Sequence, residues 1–177
     1  MISFKRIRYK NFLSTGNIPI EVELNKTATT LIVGSNGSGK STLLDALCYA
    51  LFNKPFRIIK KDQMVNTINN SDTLVEVEFE VGTNQYMIRR GIKPNLFEIY
   101  QNDKLINQDA SSIDYQKYLE QNIMKLNYRS FIQVVILGSS SYEPFMKMKP
   151  RYRREVVEEI LDIRVFGLMD LILRSQQ

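Results

Sequence analysis

The sequence contains no histidine, no tryptophan and only one cysteine among its 177 residues. Without histidine, the chain cannot supply a histidine general base or a Ser-His-Asp triad. One cysteine without histidine also excludes a disulfide within the chain and a zinc site built from Cys and His ligands. Composition alone therefore excludes much hydrolase and metalloenzyme chemistry for this chain.

Long hydrophobic runs are also missing. No apolar stretch approaches the roughly 18 residues that a membrane-spanning helix requires. The N-terminus, MISFKRIRYKNF, lacks the apolar segment and the small-residue cleavage site of a signal peptide. With 44% hydrophobic and 24% charged residues, the composition is that of a globular protein whose length can bury one core. We expect a cytoplasmic protein without a membrane partner.

Positive charge exceeds negative charge by a modest amount. The chain has 24 lysines and arginines against 19 acidic residues, a net charge of +5 and a sequence pI near 9.3. Such an excess favours an anionic partner, such as a nucleotide or a nucleic acid. It also fits a globular domain with a slightly positive field, so charge alone does not decide between the two.

Alternating apolar and charged residues predict a strand-rich fold. The strands expected from this alternation cover residues 2–9, 18–24, 74–81, 86–90 and 96–100. The third and fourth strands are separated by a short turn, which predicts a hairpin. Helical spacing then predicts a helix at about 112–125, and an apolar run predicts a further strand at 131–137.

A short, nearly all-apolar run at Thr29–Val33 differs from the alternating strands. Because both of its faces are apolar, it predicts a fully buried strand of a parallel sheet. A glycine-rich turn follows at once. The segment Ser41–Phe52 then has apolar residues at spacings of three and four, which predicts a helix. Strand, glycine-rich loop and helix in this order are the context in which phosphate-binding loops occur.

The glycine-rich turn runs from Gly34 to Thr42 and satisfies the pattern G-x-x-x-x-G-K-[ST]. Its backbone N–H groups and the positive end of the helix dipole are suited to nucleotide phosphates. Lys40 is expected to bridge the β- and γ-phosphates as the catalytic cation, and Ser41 to ligate Mg²⁺. The nucleotide-binding residues predicted by this pattern are Ser35, Asn36, Gly37, Ser38, Gly39, Lys40, Ser41 and Thr42.

Hydrolysis also needs an acidic pair after an apolar strand, to hold Mg²⁺ and activate water. The apolar run at 131–137 is followed by Gly138 and three serines, and Asp162 and Asp170 lie in helical patterns. We therefore expect the chain alone to bind nucleotide without turnover. No guanine-specificity segment of the NKxD type is present, which favours ATP over GTP. A self-contained P-loop kinase is an alternative that the missing acidic pair and the hairpin disfavour.

The sequence after Pro150 has three arginines and then apolar residues at spacings of three and four, which continue nearly to the end of the chain. A helix with an apolar stripe and no terminal cap is expected to continue into a coiled coil. A C-terminal helix docked on the domain is the alternative. The predicted organisation is an ATP-binding lobe at 1–150 and, at 151–177, a helix at the base of a truncated coiled coil.

Several of these segments together resemble one family. They are the basic strand ending in Lys10-Asn11-Phe12, the strand at 20–24, the segment TLIVGSNGSGKSTLLDAL, the hairpin block and the segment PFMKMKPRYRREVVEEILDI. Over essentially its whole length the chain resembles the N-terminal ATPase lobe of the SbcC/Rad-fifty family, the SMC-like ATPases of double-strand-break repair. The resemblance implies an α/β fold: the N-terminal lobe of a P-loop NTPase head of the ABC/SMC type. An appended antiparallel β-sheet and a C-terminal helix leading toward a coiled coil complete the expected fold.

The resemblance also implies partners. The signature and Walker B motifs would lie in a C-terminal ATPase lobe of the same polypeptide, and two copies of the head would sandwich ATP and Mg²⁺ between them. A nuclease subunit would bind near the coiled-coil base, and double-stranded DNA would lie across the engaged heads. The function so implied is the ATP-binding half of a DNA-repair ATPase that controls a nuclease. A DNA clamp ATPase of SMC or RecF type without a nuclease is the alternative.

Two further assignments depend on the resemblance. The family's Q-loop glutamine, a sensor of the γ-phosphate and Mg²⁺, corresponds to Ser139 in an ungapped reading, whereas a shifted register makes Gln133 the candidate metal ligand. The basic cluster of Arg57, Lys60 and Lys61 lies where SMC-like proteins place an arginine that senses DNA. Arg57 is the candidate for this role, and a solvated basic loop is the alternative reading.

Overall fold

The structure is a computed structural model that describes residues 2–106, 112–136 and 143–161, together with residues 163, 169 and 173. The chain divides into two compact units, 1–124 and 125–177, and each is described by itself. This division comes earlier in the chain than residue 150, where the sequence pattern starts the helix toward a coiled coil. The 1–150 and 151–177 division stays a prediction about the longer architecture.

The first unit is built on a six-stranded antiparallel sheet with the spatial order β2-β1-β3-β4-β5-β6. Its strands are β1 (Ile2–Lys10), β2 (Ile20–Glu23), β3 (Thr73–Val81), β4 (Asn84–Ile92), β5 (Leu96–Gln101) and β6 (Lys104–Leu105). The strands expected from alternation are therefore confirmed. In the turn of the predicted hairpin, Gly82 has a φ of 62°, a conformation that glycine adopts without steric cost.

One face of this sheet is apolar, and the helix that follows the glycine-rich loop packs against it. This helix, α1 (Thr42–Phe52), is buried at ten of its eleven positions and packs against β1, β3 and β4. The ring of Tyr49 stacks on Phe12, with centroids 5.6 Å apart. Cys48 is fully buried, and burial, with a smaller contribution from the charge of Asp45, raises the pKa of its thiol to about 12. The thiol therefore stays protonated and serves as a core side chain.

The opposite face of the sheet is a lattice of ion pairs, called the charged face below. Because side chains alternate along a strand, charged residues of β1, β2, β3, β4 and β5 meet on this side. The pairs are Lys5–Glu80, Arg6–Glu21, Arg6–Glu78, Arg8–Glu76, Arg89–Glu76 and Arg89–Glu98. Glu76 lies at the centre, where its side chain is only 8% exposed between two arginines.

The buried parallel strand expected at Thr29–Val33 does not form. These residues lie outside the sheet and are exposed, with Leu31 at 83%, Ile32 at 47% and Val33 at 77%. A central strand needs neighbours on both sides to pair its backbone and cover both faces. All the strand pairs of the described residues are antiparallel, and none includes this run. The segment is therefore an apolar run without a strand partner in the described part of the chain.

The helix expected at about 112–125 is present as α2 (Ser112–Tyr118), which continues as a π-helical turn at Leu119–Met124. The strand expected at 131–137 is wrong, because helix α3 (Tyr128–Val134) occupies most of that range. Asn127 starts this helix by accepting a hydrogen bond from the Ser130 N–H at 2.9 Å. A short apolar run does not distinguish a strand from a helix by periodicity, and here the N-cap decides.

The second unit holds α3 and the helix α4 (Pro150–Ile160), which contact each other. The Asn127 side chain donates to Glu155 and Glu159 at 2.9 and 2.8 Å, and the Arg129 guanidinium lies 3.5 Å from the centre of the Tyr152 ring. The predicted helix after Pro150 is thus confirmed as far as Ile160. Within the described residues, no helix has both the length and the apolar character needed to cross a bilayer.

We expect Glu76→Gln to destabilise the chain by about 1–3 kcal/mol, since the change removes the shared carboxylate of Arg8 and Arg89 from a buried position. Urea denaturation followed by circular dichroism measures the difference. Glu80→Gln is the matched control, because that carboxylate is 34% exposed and pairs with Lys5. Equal effects of the two changes would contradict the central place of Glu76.

Candidate nucleotide-binding site

The glycine-rich loop connects the exposed apolar run to the N-terminus of α1. The Ser38 N–H donates to the Ser35 carbonyl at 3.2 Å, and the Thr42 N–H donates to the Gly39 carbonyl at 3.0 Å. These two turns bring the loop back over the start of the helix. Free N–H groups at a helix start, with the positive end of the dipole, favour an anion at this position.

Two positions in the loop require glycine. Gly37 and Gly39 have φ angles of 84° and 94°, which side-chain-bearing residues rarely adopt. At Gly34 a Cβ would lie 2.5 Å from the Ser38 Oγ, so a larger residue there would make the Ser38 hydroxyl rotate away. The sequence spacing of these glycines therefore serves the backbone conformation that a phosphate-binding loop needs.

The Lys40 side chain folds over the loop. Its ammonium donates to the carbonyls of Gly34 and Ser35 at 2.6 and 2.7 Å. The loop carbonyls thus hold the positive charge above the turn. Because a lysine ammonium has three N–H donors, it has one more donor than these two bonds use. This geometry fits a cation that meets phosphate oxygens directly over the backbone cradle.

The loop opens into a cleft of about 580 Å³ within the first unit. It is lined by Leu13, Ser14, Asn36, Gly37, Gly39, Lys40, Ser41, Thr42, Arg57, Ile59, Gln63, Val65 and Thr67. The structure therefore brings together six of the eight residues predicted to bind nucleotide. The other two, Ser35 and Ser38, lie in the turn of the same loop.

The part of the cleft wall around Leu13 and Val65 is held by the buried side-chain amide of Asn66. Asn66 donates to the carbonyls of Leu13 and Thr15 at 3.2 and 2.9 Å, and its backbone N–H donates to the Asn11 carbonyl at 2.9 Å. The Thr15 hydroxyl is occupied by the backbone of Phe12, so it holds the turn rather than facing the cleft. Buried amides with all these bonds fix one wall of the cleft.

Arg57, predicted from the family resemblance as a DNA sensor, lines the same cleft. Its Nε donates to Asp45 Oδ2 at 2.7 Å, and its backbone N–H donates to Asp45 Oδ1 at 2.9 Å. Asp45 belongs to α1 and is fully buried. The phosphate-loop helix therefore sets both the backbone and the guanidinium of Arg57. Sequence reasoning missed Asp45, although an acidic residue among the apolar residues of a buried helix is a detectable signal.

The neighbouring lysines of the basic cluster do not line this cleft. Lys60 and Lys61 are exposed at the start of a short 3₁₀ turn, Lys61–Met64. Two other basic residues, Arg89 and Arg90, are engaged elsewhere. Arg89 belongs to the charged face, and Arg90 is only 5% exposed on the apolar side of the sheet.

The candidate metal ligand Gln133 lies in α3 rather than in a strand. Its Nε2 donates to the Glu143 carbonyl at 2.9 Å, and its Oε1 is buried and has no hydrogen-bond partner among the described residues. The other Q-loop candidate, Ser139, lies outside the described residues. No group of three or more Asp, Glu or Cys side chains in the described ranges is arranged to hold a metal ion. Both Q-loop assignments stay predictions.

Comparison with known proteins extends these observations. A family model described as an AAA domain, AAA_23, matches residues 6–165. The chain is 44% identical to exonuclease subunit 2 of Escherichia phage RB69, over 99% of this chain and 32% of that relative. It is also 44% identical to exonuclease subunit 2 of Enterobacteria phage T4, over 99% of this chain and 31% of the relative. The chain spans about a third of the length of these phage relatives.

A more distant relative is archaeal. The DNA double-strand break repair Rad50 ATPase of Thermoplasma volcanium is 31% identical over 90% of this chain and 18% of its own length.

Among solved structures, the Smc head domain of Pyrococcus furiosus with an extended coiled coil matches with a TM-score of 0.69 and 19% identity, over 99% of this chain and 46% of that one. The Smc head of Pyrococcus yayanosii gives a TM-score of 0.66 at 21% identity, over 99% and 35% of the two chains. These likenesses show an SMC-type head fold. The chain belongs to the AAA-domain family and, within it, to the SbcC/Rad50 group, as the N-terminal lobe of its ATPase head.

Proposed function

We propose that this chain is the ATP-binding half of a DNA-repair ATPase that works with a nuclease. The observation that carries the proposal is the phosphate loop with Lys40 folded over it at the mouth of a cleft. The relatives support the rest of it, because two are named exonuclease subunit 2 and one is named a double-strand break repair ATPase. Phage relatives also fit a cytoplasmic location in a host cell.

Within this function each loop residue has a role. Lys40 neutralises charge on the β- and γ-phosphates, Ser41 holds Mg²⁺ through its hydroxyl, and Thr42 supports the α-phosphate. The phosphates are bound by backbone N–H groups of the loop other than those of Ser38 and Thr42, which close its two turns. Mg²⁺ held by the Ser41 hydroxyl would supply further neutralisation of the phosphate charge. Gln133 as a second metal ligand stays part of the proposal.

The chain requires a second lobe to complete hydrolysis. The exposed apolar side chains of Leu31 and Val33 fit a strand that pairs with the C-terminal ATPase lobe of the same polypeptide. None of the described strands is followed by an acidic pair, and that lobe would supply one. A second copy of the head would then close over ATP, and DNA and the nuclease subunit would bind the assembled heads.

A clamp ATPase without a nuclease is the second candidate, because the solved structures with this fold include Smc heads. Copurification of the full-length protein with a nuclease separates the two functions. A self-contained kinase is disfavoured, since α3 occupies the place of the strand that would precede an acidic pair.

Lys40→Ala is expected to weaken Mg-ATP binding by at least about a hundredfold, because the ammonium meets the phosphates directly. Isothermal titration of the purified chain measures the affinity, and the melting temperature confirms folding. Lys104→Ala, an exposed lysine on β6, is the control and should leave the affinity unchanged. Tight binding by a folded Lys40→Ala chain would contradict the proposed site.

Phosphate release by the chain alone should be negligible while ATP still binds. A malachite green assay run beside the titration measures it. Turnover that depends on Lys40 in the chain alone would mean that an acidic catalytic residue lies within it, and the self-contained enzyme would then be the better reading.

The double change Lys60→Ala with Lys61→Ala is expected to weaken binding to a double-stranded DNA fragment. The slope of log K against log salt is negative, and each lost phosphate contact makes it shallower by about 0.9. Two lost contacts therefore make it shallower by about 1.8. Fluorescence anisotropy at several salt concentrations measures this slope, with Lys104→Ala as the control. An unchanged slope would favour the reading of this cluster as a solvated basic loop.

A further inference from the structure

The C-terminal end of α1 has carbonyl groups that the helix itself cannot pair. Asn53 follows the helix in the left-handed conformation, and its N–H donates to the Tyr49 carbonyl at 2.9 Å. The carbonyls of Ala50 and Leu51 come next and need donors from elsewhere. α1 has no basic residue in its last turn, although a cation at that end is favoured by the helix dipole.

Two side chains from other elements supply these donors. The Arg90 Nε, from β4, donates to the Ala50 carbonyl at 3.0 Å. Gln116, from α2, donates through Nε2 to the Leu51 carbonyl at 2.9 Å. The two side chains also contact each other, because an Arg90 terminal nitrogen donates to Gln116 Oε1 at 2.7 Å. Sheet, helix α2 and the end of α1 are therefore joined by one hydrogen-bond network.

Arg90 carries its charge into the protein interior. The residue is 5% exposed, and its guanidinium lies 3.6 Å from the centre of the Phe97 ring and 6.0 Å from that of Tyr49. Burial lowers the pKa of Arg90 to about 10, so the side chain stays charged at neutral pH. Burying a cation costs desolvation free energy that an apolar side chain at the same position would not cost. The presence of an arginine at this buried position therefore needs an explanation.

The position of Arg90 relative to the phosphate loop gives that reason. At 1.5 Å per residue, the eleven residues of α1 span about 16 Å, and rigid secondary elements of this kind carry coupling from one end to the other. The phosphate loop lies at one end of the helix and Arg90 at the other. The Tyr49 hydroxyl also donates to the Gly91 carbonyl at 3.3 Å, which ties the same end of the helix to the same strand.

We propose that Arg90 is a positioning residue for nucleotide binding. From β4 it fixes the far end of α1, and through the helix it sets the direction in which the loop N–H groups and Lys40 meet the phosphates. A lysine cannot replace it, because one ammonium cannot both stack on Phe97 and bond Ala50 and Gln116 in the planar fork geometry. This inference depends on the proposed nucleotide-binding function.

The test compares Arg90→Lys with Arg89→Lys in the same chain. The two arginines are neighbours on β4 and the change is identical, but the Arg89 guanidinium pairs with Glu76 and Glu98 on the charged face instead of bonding the end of α1. Mg-ATP affinity is measured by isothermal titration and the melting temperature by circular dichroism. We expect Arg90→Lys to weaken Mg-ATP binding by about tenfold and Arg89→Lys by less than about twofold.

The readouts separate positioning from stability, because a residue that only stabilises the fold leaves the affinity of the folded chain unchanged. A lower melting temperature with unchanged affinity in Arg90→Lys would overturn the inference. If that variant does not fold, Gln116→Met decides: weaker binding supports the inference, and unchanged binding overturns it. Lys40→Ala is run in parallel, since retained binding there would overturn the proposed function rather than the role of Arg90.

Discussion

The packing of α1 against the apolar face of the antiparallel sheet is the interaction on which the candidate nucleotide-binding site depends. Ten of the eleven residues of this helix are buried, so its position is set by the core and not by the loop before it. Burial of this much side-chain area stabilises the helix far more than its intrinsic propensity does. The loop can therefore use the left-handed conformations of Gly37 and Gly39 for its turns without carrying the fold itself.

Buried polar groups then fix the orientation of α1 and of the cleft residues within this packed core. The Asp45 side chain extends from α1 and binds Arg57 at the cleft, and Asn66 binds the turn after β1. Arg90 and Gln116 donate hydrogen bonds to the carbonyls at the C-terminal end of the helix. Each of these groups is buried or partly buried and paired. Apolar contacts alone permit a helix to slide or rotate, whereas paired buried polar groups favour one arrangement. The cleft is thus built from a tightly packed core and a few hydrogen-bonded anchors.

Much of this architecture could be predicted from the sequence, because the relevant signals are local. Alternation predicted five of the six strands of the sheet, all but the two-residue β6, and the glycine spacing predicted the loop and the start of α1. The strand expected at Thr29–Val33 did not form, since strand formation needs a neighbour that no local pattern reveals. The run at 131–137 was misjudged because its outcome depends on an N-cap at Asn127.

The anchors of the site were the least predictable part. Asp45, Asn66 and Gln116 act through contacts 12 to 65 positions away in sequence, and only the fold brings those partners together. Arg90 shows the same limit from the opposite direction. Its neighbour Arg89 is the same residue type on the same strand. Because side chains alternate, Arg89 lies on the charged face and Arg90 lies in the core.

The charged face has a further consequence for how the molecule meets other charges. It holds five carboxylates against four cations, while residues 1–124 as a whole have 15 lysines and arginines against 13 acidic residues. The positive excess of the first unit therefore lies outside the charged face, which makes the electrostatic field of this unit uneven. A polyanion approaching from solution is turned away from the flat of the sheet and meets the molecule in a preferred orientation before any contact forms.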